Sequence, residues 1–190
     1  RSINNGDNWT KVFTGAVQTS IQTFAIASNG AIVAGNNYGF LFRSTNDGTS
    51  WLVNGHLSTD FDDEAANQII RLSDGNLYLA AGSTFGGSGY LYRSTDNGLT
   101  WQLRHKFSGQ GLSHILEITP NKLYAGVNVN QPPGQASILV SSDHGLTWAT
   151  EFNGVGTVTI PGGMALSSDG YAYIGFSNST VSNTEIWRGK

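Results

Sequence analysis

Hydrophobic and polar positions alternate along this chain in short runs broken by turn residues. Ile21-Gln22-Thr23-Phe24-Ala25-Ile26 alternates approximately with period two, which predicts a half-buried strand. Ser28-Asn29-Gly30 then marks a tight turn. Ala31-Ile32-Val33-Ala34 reads as a second strand, Gly39-Phe40-Leu41-Phe42-Arg43 as a third, and Trp51-Leu52-Val53 opens a fourth. The same succession returns from Gln68 to Arg93, from His114 to Val140 and from Gly163 to Arg188. Helical periodicity competes only weakly, between Asp62 and Ile70.

One octet punctuates the pattern. Ser94-Thr95-Asp96-Asn97-Gly98-Leu99-Thr100-Trp101 recurs as Ser141-Ser142-Asp143-His144-Gly145-Leu146-Thr147-Trp148. Looser copies are Ser44-Thr45-Asn46-Asp47-Gly48-Thr49-Ser50-Trp51 and Ser2-Ile3-Asn4-Asn5-Gly6-Asp7-Asn8-Trp9. The tryptophans lie 42, 50 and 47 residues apart, the length that four strands and their turns require. Tandem four-stranded units predict an all-β fold, a β-propeller of four-stranded antiparallel blades with four repeats.

The octet resembles the Asp-box, or BNR, repeat, with the pattern Ser/Thr-x-Asp-x-Gly-x-Thr-Trp, and the resemblance spans the whole chain at four positions. Two boxes match fully. Asn4 and Asn46 stand where the family has Asp, and Asn keeps an acceptor oxygen. The box reads as turn chemistry. Asn4, Asn46, Asp96 and Asp143 are expected to accept hydrogen bonds from backbone groups two residues on. Gly6, Gly48, Gly98 and Gly145 are expected at positive φ, and Trp9, Trp51, Trp101 and Trp148 in the blade cores. The resemblance implies that the box joins the third and fourth strands of a blade and is not an active site.

The same resemblance sets the blade boundaries at 14–56, 57–106, 107–152 and 153–188 plus 1–13, in a single domain of residues 1–190. Residues 1–13 then supply an outer strand that completes the last blade, the "Velcro" closure of a propeller ring. A fragment of a larger propeller, or chains that share a ring, are the alternatives. The chain opens on Arg1 with no signal-peptide pattern and reads as part of a longer precursor.

Loops between blades, and between second and third strands, vary in length and share one face, where function is expected. They include Ser108 to Ser113, Asn153 to Pro161, and His56 to Glu64. The last holds Asp60, Asp62, Asp63 and Glu64, candidates for the acid/base pair of a glycoside hydrolase or, alternatively, a solvated acidic loop. Tyr38, Phe61, Phe85, Asn128 and Asn130 are candidates for stacking on, and hydrogen bonding to, a sugar. Family resemblance to sialidases implies three arginines on a substrate carboxylate. Arg1, Arg43, Arg93 and Arg188 recur with the repeat and read as structural, which leaves Arg71 and Arg104.

Composition narrows the function classes. Aromatic residues are 11 % and hydrophobic ones 38 %, enough for a packed core. Ten cations against thirteen anions, with no basic block, give a net charge of −3 and argue against a nucleic-acid partner or a polybasic membrane site. No apolar run approaches a bilayer span. The absence of cysteine excludes disulfides, a zinc ribbon and a thiol nucleophile. The four histidines form no metal-ligand motif, and there is no phosphate-binding or dinucleotide loop, so no metal or cofactor is expected. The reading is a non-catalytic, secreted or cell-surface recognition or assembly module for glycan or protein, able to form a homo-oligomer or part of a larger propeller. A sialidase-like hydrolase and an assembly-factor scaffold, similar to the Asp-box proteins of photosystem biogenesis, are the alternatives.

Overall fold

The structure is a computed structural model that describes residues 1–14, 20–57, 65–82, 87–129, 135–153, 158–178 and 183–189. Among the described residues fifteen strands build four antiparallel sheets, each following the chain without crossovers. The first sheet is β1 (Ile21–Ile26), β2 (Ile32–Asn36), β3 (Phe40–Ser44) and β4 (Leu52–His56). The second is β5 (Ala66–Arg71), β6 (Leu77–Gly82), β7 (Gly89–Ser94) and β8 (Gln102–Phe107). The third is β9 (Gln110–Thr119), β10 (Lys122–Val129), β11 (Gln135–Ser141) and β12 (Ala149–Asn153). The fourth has three strands: β13 (Val158–Leu166), β14 (Ala172–Asn178) and β15 (Asn183–Gly189). This is a propeller-type architecture, and among the described residues it contains no helix.

The core lies in the seams between sheets. Val33 and Leu41 of the first sheet pack with Ile69, Leu77 and Leu79 of the second. Tyr78 and Leu91 of the second pack with Ile115, Leu123 and Ala125 of the third. Tyr124 and Ile138 of the third meet Ile174 and Phe176 of the fourth. A sheet covered on both faces loses the simple inside/outside alternation, and β6 is accordingly buried at every position. Each fully buried Leu in these seams contributes about 2–3 kcal/mol of transfer free energy.

The inner strands meet in the order β1, β5, β9, β13, and β13 makes no comparable contact back onto β1. Residues 1–13 form no strand. Among the described residues no hydrogen bond joins them to β15, so the closure expected from the sequence is not observed. The segment folds on itself, Thr10 N donating to Arg1 O at 2.8 Å, and lies against the first sheet, with Phe13 5.3 Å from the Phe42 ring.

Two expected loops are partly strand. β9 begins at Gln110 and β13 at Val158, so 110–113 and 158–161 extend the ladders. Register shifts at Gly126/Val127 and around Pro161 let the pairing continue past the point where the alternation breaks. The segment from Asp62 to Ile70, where helical spacing competed, enters β5 at Ala66.

Candidate functional site

Each box is a closed hydrogen-bonded turn. In the second blade Ser94 Oγ donates to Asp96 Oδ1 at 2.8 Å and accepts from Gly98 N at 2.8 Å. Asp96 Oδ1 also accepts from Leu99 N and Thr100 N, and Asp96 Oδ2 from Thr100 Oγ1 at 2.6 Å. The third blade repeats this around Asp143, with Thr147 Oγ1 at 2.6 Å. The box carboxylates thus take backbone donors three and four residues on, rather than the two expected from sequence. The octet curls back over its acidic residue because Asn97 (φ 61) and Gly98 (φ 81) are both left-handed.

The Asn boxes keep the turn, and Asn46 does so by reversing one donor. Asn46 Oδ1 accepts from Ser50 N at 2.9 Å, while its Nδ2 donates to Ser50 Oγ at 2.8 Å. Asn4 Oδ1 likewise accepts from Ser2 Oγ and Asn8 N. Trp51, Trp101 and Trp148 are partly buried, but Trp9 is 76 % exposed, because residues 1–13 belong to none of the sheets.

These turns hold their charges fixed. Hydrogen bonds from Thr147 and Ser141 keep the Asp143 carboxyl far below the usual range. Burial would raise Asp96, but the donors of Thr100, Ser94 and Leu99 outweigh it and lower its pKa. At the neighbouring turn Asp74 is lowered as well: burial opposes, and donors from Asn76 and Tyr78 with the Arg93 guanidinium at 3.1 Å prevail. Burial, together with the Asp74 carboxylate that accepts its hydrogen bond, pushes Tyr78 up to about 12.

Arginines tie blade to blade. Arg43 Nε donates to Asn97 O of the next box at 3.0 Å, and Arg104 Nε to His144 O at 3.2 Å. Arg71 reaches back to Ala27 O, and Arg188 lies over the Tyr171 ring at 4.6 Å. All of these are structural engagements of side chains that a carboxylate clamp would need free.

At the opposite end of the blades the turn between β2 and β3 forms a rigid platform. Asn36 Oδ1 accepts from Tyr38 N and Phe40 N at 3.0 and 2.9 Å, and Asn37 Oδ1 accepts from Ser20 N at 2.8 Å. His56 Nε2 lies 2.6 Å from the Tyr38 carbonyl oxygen and donates to it. Gly39, at φ 75, closes the turn. The Tyr38 side chain stays 44 % exposed on this support. Asn36 and His56 hold it, and this role is not apparent from the sequence, where the Asn-x-x-Gly spacing of a side-chain-capped turn is the local signal for Asn36.

Of the other sugar-binding candidates, Asn128 is 8 % exposed within β10, flanked by β9 and β11. Phe61, Phe85 and Asn130, with the acidic candidates Asp60, Asp62, Asp63 and Glu64, lie outside the described residues. Among the described residues no group of three His, Asp or Glu stands placed to hold a metal ion, and no helix is long and apolar enough to cross a membrane.

The repeat itself matches a known family model: residues 92–103 match the BNR/Asp-box repeat. No curated protein sequence matches the chain. Solved structures do. An α-L-arabinanase of Penicillium chrysogenum, complexed with arabinobiose, is 15 % identical over 90 % of this chain and 62 % of its own, with a TM-score of 0.61. The Hadza microbial sialidase Hz136 is 14 % identical over 90 % of this chain and 44 % of its own, at a TM-score of 0.64. YCF48 bound to D1 peptide is 18 % identical over 90 % and 52 %, at 0.59. The chain thus spans less than two thirds of each. It carries BNR/Asp-box repeats on a BNR-type propeller fold.

Proposed function

We propose that the chain is a non-catalytic, extracellular recognition or assembly module that binds glycan or protein through the loop face bearing Tyr38. The observation that carries this reading is the engagement of Arg43, Arg71, Arg93 and Arg104 in seams and turns. A sialidase-like site needs arginines aimed at substrate, and here they hold neighbouring turns. The Tyr38 platform supports the sugar form of the reading. A rigid, exposed aromatic ring beside backbone polar groups is suited to stack on a pyranose or on a peptide side chain. The likeness to a carbohydrate-complexed enzyme and to a peptide-bound YCF48 makes both ligand classes reasonable choices for screening.

The test is a glycan and peptide array probed with the 190-residue chain and with Tyr38→Ala. Binding that Tyr38→Ala weakens about tenfold or more, at unchanged melting temperature, supports the reading. An array without signal above background removes it. Hydrolysis of arabinan, sialoside or xyloglucan substrates that is abolished by Asp62→Ala with Glu64→Ala replaces it with a hydrolase built on the acidic loop.

A further inference from the structure

We propose that a polar pocket in the seam between the first and second sheets, walled by Tyr92 and Trp101, binds one pyranose ring of a glycan. This rests on the glycan form of the reading above and adds a second subsite to it.

The pocket exists because one position of the repeat carries no side chain. The outer strands of the first three sheets set Gly55, His105 and Phe152 opposite Leu41, Leu91 and Ile138. Two of these three carry rings, and each ring packs on an indole of the following sheet. The Phe152 ring lies 5.0 Å from Trp187 of the fourth sheet. The His105 ring lies 6.4 Å from Trp148 of the third, with its Nδ1 3.0 Å from Leu146 O. The first seam keeps the receiving side of this arrangement. Trp101 is the box tryptophan of the second sheet, and Tyr92 stands at the register position of Trp187. Opposite them is Gly55, where a Cβ would meet nothing within 4 Å. Its φ of 122 favours glycine, so the local backbone keeps the position bare. The space left is a pocket of about 180 Å³, lined by Asn54, Gly55, His56, Tyr92, Thr100 and Trp101 among others.

The polar side chains of the pocket have their donors engaged elsewhere. Asn54 Nδ2 donates to Gly98 O and Leu99 O, Thr100 Oγ1 to Asp96 Oδ2, and His56 Nε2 to Tyr38 O. Asn54 Oδ1 and Thr100 Oγ1 keep acceptor capacity. Among the described residues no Lys or Arg lines the pocket. Acceptors beside two aromatic rings, without a cation, suit a neutral ring that has an apolar face and hydroxyl donors at its rim. A sugar ring has both. A carboxylate or phosphate would bring acceptors to acceptors. His56 joins the two places, since it lines the pocket and also holds the Tyr38 carbonyl at 2.6 Å.

The test uses the 190-residue chain and the methyl pyranosides of glucose, galactose, mannose and xylose. Trp101 Nε1 is buried without a hydrogen-bond partner, and its proton resonance, assigned with Trp101→Phe, reports on the pocket. The proposal expects at least one pyranoside to shift that resonance saturably while the resonance of the exposed Trp9 stays in place. Tyr92→Leu installs the residue that the third sheet carries at this register, Leu139, so the fold is expected to hold. It weakens pyranoside binding about tenfold or more. Pyranosides that leave the Trp101 resonance unmoved overturn the proposal, as does binding that Tyr92→Leu leaves intact. A Trp101 shift produced by peptides and not by pyranosides overturns it in favour of a pocket for a peptide side chain. The platform reading fails separately. Array binding that Tyr38→Ala weakens, with Trp101 unmoved, removes the pocket and keeps the platform; a Trp101 shift with array binding indifferent to Tyr38→Ala keeps the pocket and removes the platform. If Tyr92→Leu fails to fold, the titration of the unmodified chain decides alone.

Discussion

Asn54 Nδ2 donates to the carbonyl oxygen of Gly98 at 2.5 Å, across the seam between the first and second blades. In the first and third blades the matching carbonyl, of Gly48 or Gly145, accepts instead from the indole nitrogen of its own box tryptophan, Trp51 or Trp148, at 3.1 and 3.2 Å. The second blade has given that acceptor to its neighbour, and the buried Trp101 Nε1 has no hydrogen-bond partner. Asn54→Ala releases the carbonyl. Loss of two donor contacts costs about 1 kcal/mol each, and the indole bond that replaces one of them leaves a net destabilisation of about 1 kcal/mol. The specific readout is the Trp101 indole proton in an NMR spectrum, which shifts downfield toward those of Trp51 and Trp148. An unmoved resonance refutes the competition.

Acid stability depends on which boxes carry a carboxylate. Asp96 and Asp143 have folded pKa values below those of the unfolded chain, so the folded state binds fewer protons as the pH falls. Their contribution is fully present above about pH 4, the unfolded value, and is lost as the pH drops through the depressed folded values. The Asn46 box contributes nothing to this slope. Asp143→Asn is expected to retain the turn by reversing the bond to Thr147, as Asn46 does with Ser50. It therefore costs less at pH 7 than Asp143→Ala, for which about 1–2 kcal/mol is expected. It also flattens the fall in stability below pH 4. Urea unfolding at pH 7 and pH 3 checks both; an unchanged slope contradicts the assignment.

Glycine matters in two different ways along the repeat. Gly98 has φ 81, and a Cβ there would come within 2.6 Å of Val33 Cγ2 in the preceding blade. Gly30 has φ 83 with nothing within 4 Å. Gly30→Ala therefore pays only for the left-handed backbone, about 1–2 kcal/mol. Gly98→Ala adds overpacking of a seam and is expected to cost about 2–4 kcal/mol. Thermal unfolding of the two variants checks the difference, and equal losses would show that the seam gives way.

The boxes were legible in the sequence because their chemistry is local: Ser44, Asn46, Gly48 and Ser50 bond to one another within seven residues. The seams were not. Asn54 finds Gly98, and Arg104 finds His144, forty or more residues on, and only the rotation between sheets brings them together. Tyr38 could be named as an exposed aromatic because a tight turn keeps it out of any strand. Asn128 could not be recognised as buried: alternation along β10 tells which residues share a face, and not that both faces of the sheet are covered. The exposed Trp9 has the same origin, since the octet specifies its turn and says nothing of the sheet against which the ring would pack.

The inner strands are laced by a side chain that stands in for a sheet partner. Ile69 N of β5 points at β1 and donates to Thr23 Oγ1 at 2.7 Å in a buried site. Ile115 N of β9 donates to Gln68 Oε1 at 2.7 Å in the next seam. Backbone N–H groups of an innermost strand have no further strand beside them, so an acceptor from the preceding blade satisfies a donor that would otherwise be orphaned. Thr23→Val keeps the shape and removes the acceptor. The buried amide is left unsatisfied, at a cost of about 1–3 kcal/mol. Amide exchange sharpens the test: Ile69 is expected to exchange faster in Thr23→Val, while Ile115, still held by Gln68, is slowed as in the parent. Gln68→Leu reverses the pattern, and a variant that speeds both amides equally would indicate general loosening rather than loss of one link.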